Sequence, residues 1–228
     1  MVSINVAYVL NATGVASETR RLAAEISGLG GTPIVMLLNS WNGTDLKALN
    51  TRIDNLLQSL CGQVPSMFAN HIFISINNSY HSYDVSGSGA CRIAALDEML
   101  TLLLTACPLE IRPDYLAIIG ARNSITYYLE TLQTVHIFDS SQVPPPIDLE
   151  PLRQAGIPVV PQQVYEMEIN KSKEIVERRA GLLALVKAGG HGWEQVLVMP
   201  KFKADKERYD NMQSSGIKPE SPPLESPV

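Results

Sequence analysis

The predicted fold rests on the stretch Ser3-Ile-Asn-Val-Ala-Tyr-Val-Leu10. Its apolar and β-branched side chains are typical of a buried strand. A turn over residues 11–14 follows, and apolar residues at helical spacing then predict a helix from Ser17 that ends at Gly30-Gly31. The apolar run Pro33–Leu38 predicts a second buried strand. This order of strand, helix and strand is the unit from which parallel sheets are built.

The same alternation continues along the rest of the chain. Further strands are predicted at residues 71–76, 115–119 and 134–138, with short ones at 156–160 and 196–199. Further helices are predicted at residues 45–60, 91–104 and about 166–188. Because the strands are continuous apolar runs, the pattern predicts an α/β fold, a three-layer sandwich with a mostly parallel sheet of the Rossmann- or flavodoxin-like kind.

One domain is predicted over residues 1–200, with the helix at about 166–188 packed on it. Both charge signs lie on one side of that helix, at Lys171, Lys173, Glu174, Glu177 and Arg178. We expect this side to be a solvated charged face. Residues 201–228 form a polar tail rich in proline and serine, for which we predict disorder from about residue 212.

The composition limits the classes of protein to which the chain can belong. It has 228 residues, of which 45% are hydrophobic, and a net charge of −5. A nucleic-acid partner is not expected, since binding phosphates needs a basic face. No apolar run reaches the ~18 residues that a membrane-spanning helix needs, so we expect no membrane partner either.

The cysteines and the N-terminal residues predict a cellular location. Cys61, Cys91 and Cys107 are an odd number without CxxC spacing, which argues against a disulfide framework or a closed zinc site. The first residues lack the basic start and long apolar stretch of a secretory signal. We therefore predict an acidic, cytoplasmic protein without a bound metal.

Three loops at the predicted carboxyl ends of strands are candidate ligand sites, at residues 11–18, 77–90 and 120–125. The first loop opens a helix, where Thr13, Gly14 and Ser17 would hold a phosphate. This loop resembles the phosphate loop of flavodoxins, a Thr/Ser- and Gly-containing turn that opens a helix. The alternative is an ordinary capped turn.

The other two loops would complete such a site. Arg122 would supply positive charge from the third loop, with Ser124 beside it, and Tyr80 or Tyr83 in the second loop would stack on a ring. The first hypothesis is therefore a soluble protein that binds a small anionic ligand, nucleotide- or flavin-like, with no reaction assigned. The alternative for the third loop is an ordinary turn.

A thiol enzyme is a further hypothesis. Cys91 is predicted at a helix N-terminus, a position that lowers the pKa of a thiol. His81 lies in the polar loop before it, so the two would form a base and nucleophile pair. The alternative is a surface histidine and a buried helical cysteine.

The segment Cys107-Pro-Leu-Glu-Ile-Arg-Pro-Asp-Tyr-Leu-Ala-Ile-Ile119 is similar to the one that leads into the nucleophile of the caspase-like fold. The separation between His81 and Arg122, 122 − 81 = 41 residues, is close to the family's spacing between its histidine and cysteine. The nucleophile position carries Arg122 instead of cysteine, and Ser82 follows His81 where the family has glycine. The resemblance therefore implies a non-proteolytic regulatory module that works through a protein partner.

Overall fold

The computed structural model describes residues 20–58, 88–133 and 141–198, and every regular element within these ranges is a helix. The α-helices are residues 20–29 (α1), Pro33–Leu38 (α2), residues 49–58 (α3), Gly89–Thr105 (α4), Tyr115–Gln133 (α5), Glu150–Gln154 (α6), Gln162–Lys171 (α7), Lys173–Ala188 (α8) and Glu194–Leu197 (α9). A 3-10 helix, Leu109–Ile111, lies between α4 and α5.

The predicted α/β sandwich is wrong. No strand occurs in the described ranges, whereas Rossmann-, flavodoxin- and caspase-like folds all need a central sheet. Residues 33–38 and 115–119 are helical, residues 156–160 form no strand, and the predicted strand at 196–199 begins inside α9. The strands predicted at 3–10, 71–76 and 134–138 lie outside the described residues, as does the tail over 201–228.

Helix α2 begins with an N-terminal capping signal, although its short apolar run resembles a buried strand. The hydroxyl of Thr32 accepts the N–H of Val35 at 3.3 Å, and Pro33 occupies the first helical position with its backbone angle already suited to a helix. At the other end, the Asn39 side chain donates to the carbonyl of Leu29 at 3.2 Å. The cap and the proline therefore make this run a helix.

The turn between α1 and α2 requires a glycine at position 30. Gly30 has a φ of +150°, and a Cβ there would lie 2.7 Å from the backbone nitrogen of Met36. We expect Gly30→Ala to lower the free energy of unfolding by about 2 kcal/mol or more, since the added methyl group meets backbone that cannot move aside.

Gly28 provides the control for that prediction, because it lies in α1 and a Cβ there has no neighbour within 4 Å. Gly28→Ala is expected to be neutral or to stabilise by up to about 1 kcal/mol. Urea unfolding of the two variants measures both effects. Equal stability of the two variants would contradict the described turn.

Helix α5 also starts at a cap and then runs through the predicted loop at 120–125. The carboxylate of Asp114 accepts the N–H of Leu116 at 2.9 Å, which starts the helix. Gly120 lies inside the helix, where an added Cβ would be 3.3 Å from Cδ1 of Leu57 on α3. The glycine therefore allows α5 to lie close to α3 and does not mark a loop.

The helix predicted over about 166–188 is observed as two helices, α7 and α8. They separate at Ser172, whose hydroxyl accepts the N–H of Ile175 at 3.4 Å and so caps α8. Helix α8 ends at Gly189.

Helix α4 lies at the centre of the described structure and packs against α2, α5, α8 and α9. Of its 17 residues, 14 are buried, so almost its whole circumference is covered. A helix covered on all sides is normally apolar all round. Helix α4 departs from this rule because Arg92, Asp97 and Glu98 are all fully buried.

Candidate functional site

Two adjacent carboxylates of α4 face two adjacent arginines of α8. Arg178 approaches Oδ1 of Asp97 with Nη2 at 2.6 Å and Nε at 2.7 Å. Arg179 donates from Nε to Oε1 of Glu98 at 2.7 Å. All four side chains are buried. We call these four residues the charge cluster.

Further hydrogen bonds fix the two guanidinium groups. Arg178 donates from Nη2 to the carbonyl of Arg122 at 2.9 Å and from Nη1 to the hydroxyl of Thr126, both on α5. Arg179 donates from Nη2 to the carbonyl of Pro145 at 2.8 Å, in the segment before α6. The charge cluster therefore joins α4, α5, α8 and this segment.

Arg122 lies beside the cluster and is held by longer contacts. Its side chain is buried, and Nη1 lies 3.5 Å from the hydroxyl of Thr101 on α4. Nη2 lies 3.5 Å from Glu174 of α8, whose side chain is 77% exposed. Arg122 therefore adds a third buried positive charge where α4, α5 and α8 meet.

The electrostatics of the cluster make it sensitive to the loss of any one member. Burial raises the pKa of the Glu98 carboxyl, and the Arg179 guanidinium opposes that change. Asp97 Oδ2 and Glu98 Oε2 have no hydrogen-bond partner among the described residues. Two opposite charges that are buried away from water depend on their mutual attraction. Removing one of them therefore leaves the other as an unpaired buried charge, which destabilises the fold.

A buried arginine of α4, outside the charge cluster, joins more distant elements. Arg92 donates to the carbonyl of Gly31, between α1 and α2, and from Nη2 to the carbonyl of Gln195 on α9 at 3.1 Å. It therefore connects the first turn of α4 to the turn between α1 and α2 and to α9. In the residues that the structure describes, no group of three or more His, Cys, Asp or Glu side chains is placed to hold a metal ion.

Cys91, a predicted nucleophile, lies in the first turn of α4. Its N–H donates to the hydroxyl of Ser88 at 3.4 Å, and its side chain is fully buried. Burial raises the pKa of the thiol and outweighs the lowering effects of Ser88 and Arg92. Burial therefore opposes the lowering of the pKa expected at a helix N-terminus, and the role of Cys91 as a nucleophile stays a prediction. Its predicted base, His81, lies outside the described residues.

The predicted ligand-binding residues fall into two groups. Thr13, Gly14, Ser17, Tyr80 and Tyr83 lie outside the described residues. Arg122 and Ser124 lie within α5 and not in a loop, and the Ser124 hydroxyl donates to the carbonyl of Gly120 at 3.1 Å. The structure therefore brings Arg122 into the helical core, where it contacts protein groups.

The charge cluster was not identified from the sequence. Arg178 was expected on a solvated face, whereas it is buried. A usable signal was the pair Asp97-Glu98 inside the otherwise apolar stretch from Ile93 to Leu100. Acidic residues are almost never fully buried without a partner, so a buried helix with this pair requires cations opposite it.

A third feature lies on the surface, in the segment over residues 109–116, which we call the connector. It comprises the 3-10 helix, the link to α5 and the first two residues of α5. Three large apolar side chains in it, Leu109, Tyr115 and Leu116, are 61–75% exposed. The connector therefore brings three exposed, large apolar side chains together within one short segment of the described chain.

The chain is similar to a protein of Bacillus subtilis (strain 168) that is named uncharacterized membrane protein YdjJ. The two are 32% identical over 192 residues, which cover 84% of this chain and 54% of the relative. The chain thus spans about half the length of that relative. No protein-family model matches the chain, and no solved structure matches it.

These findings correct the predicted functions. The nucleotide- or flavin-like ligand was expected at the carboxyl ends of strands, and the non-proteolytic module required a caspase-like sheet, but the described structure is helical. The relative's name assigns no ligand. None of the described helices is long and apolar enough to cross a lipid bilayer. Against the prediction of a cytoplasmic protein, however, the relative is named as a membrane protein.

Proposed function

We propose that this chain is a helical protein-binding domain that docks through the connector on a protein partner at a membrane. The observation that carries this proposal is the exposure of Leu109, Tyr115 and Leu116 within eight consecutive residues. Clustered exposed apolar side chains are typical of protein interaction sites, whereas scattered single ones need no explanation.

The backbone of the connector is held in place, which favours binding. The N–H of Leu46 donates to the carbonyl of Ile111 at 2.8 Å, and the N–H of Asp114 donates to Oδ1 of Asn50 at 2.8 Å. Arg112 donates from Nε to the carbonyl of Cys107 at 2.8 Å. Since the segment is already ordered, little conformational entropy remains to be lost when a partner binds.

The charges around the connector indicate the chemistry of the partner. Glu110 and Asp114 are exposed, whereas the guanidinium of Arg112 is hydrogen-bonded to the carbonyl of Cys107. An apolar centre with an acidic rim is complementary to an apolar pocket flanked by lysine or arginine. The same acidic rim opposes docking on anionic lipid headgroups, so the partner is a protein and not the bilayer surface.

A location on the cytoplasmic side of a membrane is consistent with this function. The similar protein is named as a membrane protein, and the described helices contain no span. Cys91 and Cys107 are both free thiols in the core. Free cysteines are typical of a reducing compartment.

Site-specific photo-crosslinking in cells tests the proposal. A photoreactive amino acid is placed at position 109 or, as the control, at position 167, where Met167 on α7 is also exposed. We expect position 109 to form one discrete adduct in the membrane fraction, joined to an apolar segment flanked by basic residues. Equal adducts from both positions would contradict a dedicated site, and so would lipid adducts alone.

Matched variants measure how much the apolar side chains of the connector contribute to binding of the partner. With the photoreactive amino acid kept at position 109, Tyr115→Ser/Leu116→Ser is expected to reduce recovery of that crosslinked partner at least tenfold, about 1.4 kcal/mol, because it removes two apolar anchors. Val164→Ser/Met167→Ser makes the same kind of change on α7 and should leave recovery unchanged. Unchanged recovery with the connector variant would overturn the proposal.

A further inference from the structure

The segment Gln142-Val-Pro-Pro-Pro-Ile147 crosses the surface before α6 without forming a helix or strand. Proline fixes its own φ, and the residue before a proline is restricted to extended backbone. Val143, Pro144 and Pro145 each precede a proline. Their sequence therefore imposes polyproline II geometry, a left-handed helix with about three residues per turn. We call residues 142–147 the proline strip.

The burial pattern of the proline strip agrees with that geometry. Pro144 and Ile147, three residues apart, are buried. Val143, Pro145 and Pro146, which lie on the other two edges of such a helix, are exposed. One edge of the strip therefore rests on the domain, and two edges face outward.

Three contacts hold the strip on the helices beneath it. Arg179 of the charge cluster donates to the carbonyl of Pro145 at 2.8 Å, and the Gln162 side chain donates to the carbonyl of Ile147 at 3.0 Å. Lys187 of α8 donates to the side chain of Gln142. The strip is thus presented in one conformation, and the buried pair of Arg179 with Glu98 orients the anchoring guanidinium.

We propose that the proline strip is a docking site for a protein domain with an aromatic-lined groove, of the SH3, WW or EVH1 kind. Such grooves recognise exposed, preformed polyproline II segments and read their outward side chains. Asp148 and Glu150 follow the strip and are exposed, so the groove bears basic residues on that side. This surface is separate in sequence from the connector and does not depend on the function proposed for it.

The test titrates the full chain into nitrogen-15-labelled SH3, WW and EVH1 domains and follows the resonances of each groove. We expect groove resonances to shift for at least one domain, and a synthetic peptide of residues 141–149 to compete with the chain. No groove shift in any of the three classes would overturn the proposal.

Two variants assign any observed binding to the strip. Pro145→Ala/Pro146→Ala is expected to weaken binding at least tenfold, while retaining the backbone carbonyl that Arg179 contacts. Pro151→Ala changes an exposed proline of α6 and should leave binding unchanged. Far-ultraviolet circular dichroism verifies the fold of both variants. Wild-type binding by the strip variant, or failure of the peptide to compete, would refute the assignment.

Discussion

Asp97→Ala is expected to lower the free energy of unfolding by about 3–5 kcal/mol. The substitution leaves the buried guanidinium of Arg178 without the fully buried carboxylate that it contacts at 2.6 Å. A buried charge without a partner is among the most destabilising changes that one substitution can make. Urea unfolding at neutral pH, followed by circular dichroism, measures the effect.

Two controls separate the loss of charge pairing from other effects of the substitution. Asp97→Ala/Arg178→Met removes both charges and is expected to recover most of the lost stability, since an apolar pair replaces the ion pair. Glu150→Ala removes the partner of Arg153 in a surface pair at 3.2 Å and should cost no more than about 1 kcal/mol. A double variant as unstable as Asp97→Ala would contradict the buried pairing.

Leu100→Ala is expected to cost about 2–5 kcal/mol, because Leu100 is fully buried on the central helix α4. The truncation leaves a cavity between α4 and the helices that surround it. The same unfolding experiment measures this loss.

Leu116→Ala is the matched control. It makes the same substitution at a leucine of the connector whose side chain is 75% exposed. Its stability should stay within about 0.5 kcal/mol of the wild type. Similar losses for both leucines would mean that the connector is covered by other parts of the chain. That result would also argue against the proposed protein-binding function.

The charge cluster connects the core to both proposed binding surfaces. Through Arg178 it joins α4 and α8 to α5, the helix that carries the last two residues of the connector. Through Arg179 it holds the carbonyl of Pro145 in the proline strip. Arg179 therefore contacts the proline strip directly, whereas Arg178 contacts α5 beyond the connector.

Helices with a long apolar periodicity were predictable from the sequence. Residues 91–104 were predicted as helical and lie within α4, Gly89–Thr105. The short apolar runs at 33–38 and 115–119 were misinterpreted, since runs of five or six residues fit a buried strand and a buried helix equally well. The capping residues Thr32 and Asp114 resolve that ambiguity in favour of helix.

The partners of the buried acidic residues in the charge cluster could not be predicted from one sequence. Asp97 and Arg178 are 81 residues apart, and no local spacing relates them. Mixed charges on a helix are typical of a solvated face, and only the packing of α8 on α4 buries Arg178. The exposure of the connector also depends on contacts that are distant in sequence. Its apolar residues resemble core residues in the sequence, and only the packing of the neighbouring helices leaves them exposed.

The backbone Cα chemical shifts of residues 33–38 and 115–119 test the helical fold most directly. Both segments are apolar runs that sequence patterns assign to strands and that the structure assigns to α2 and α5. We predict helical shifts for both segments, with strong contacts between successive amide protons. Strand-like shifts, together with cross-strand contacts from either segment, would contradict the helical fold and restore the parallel sheet.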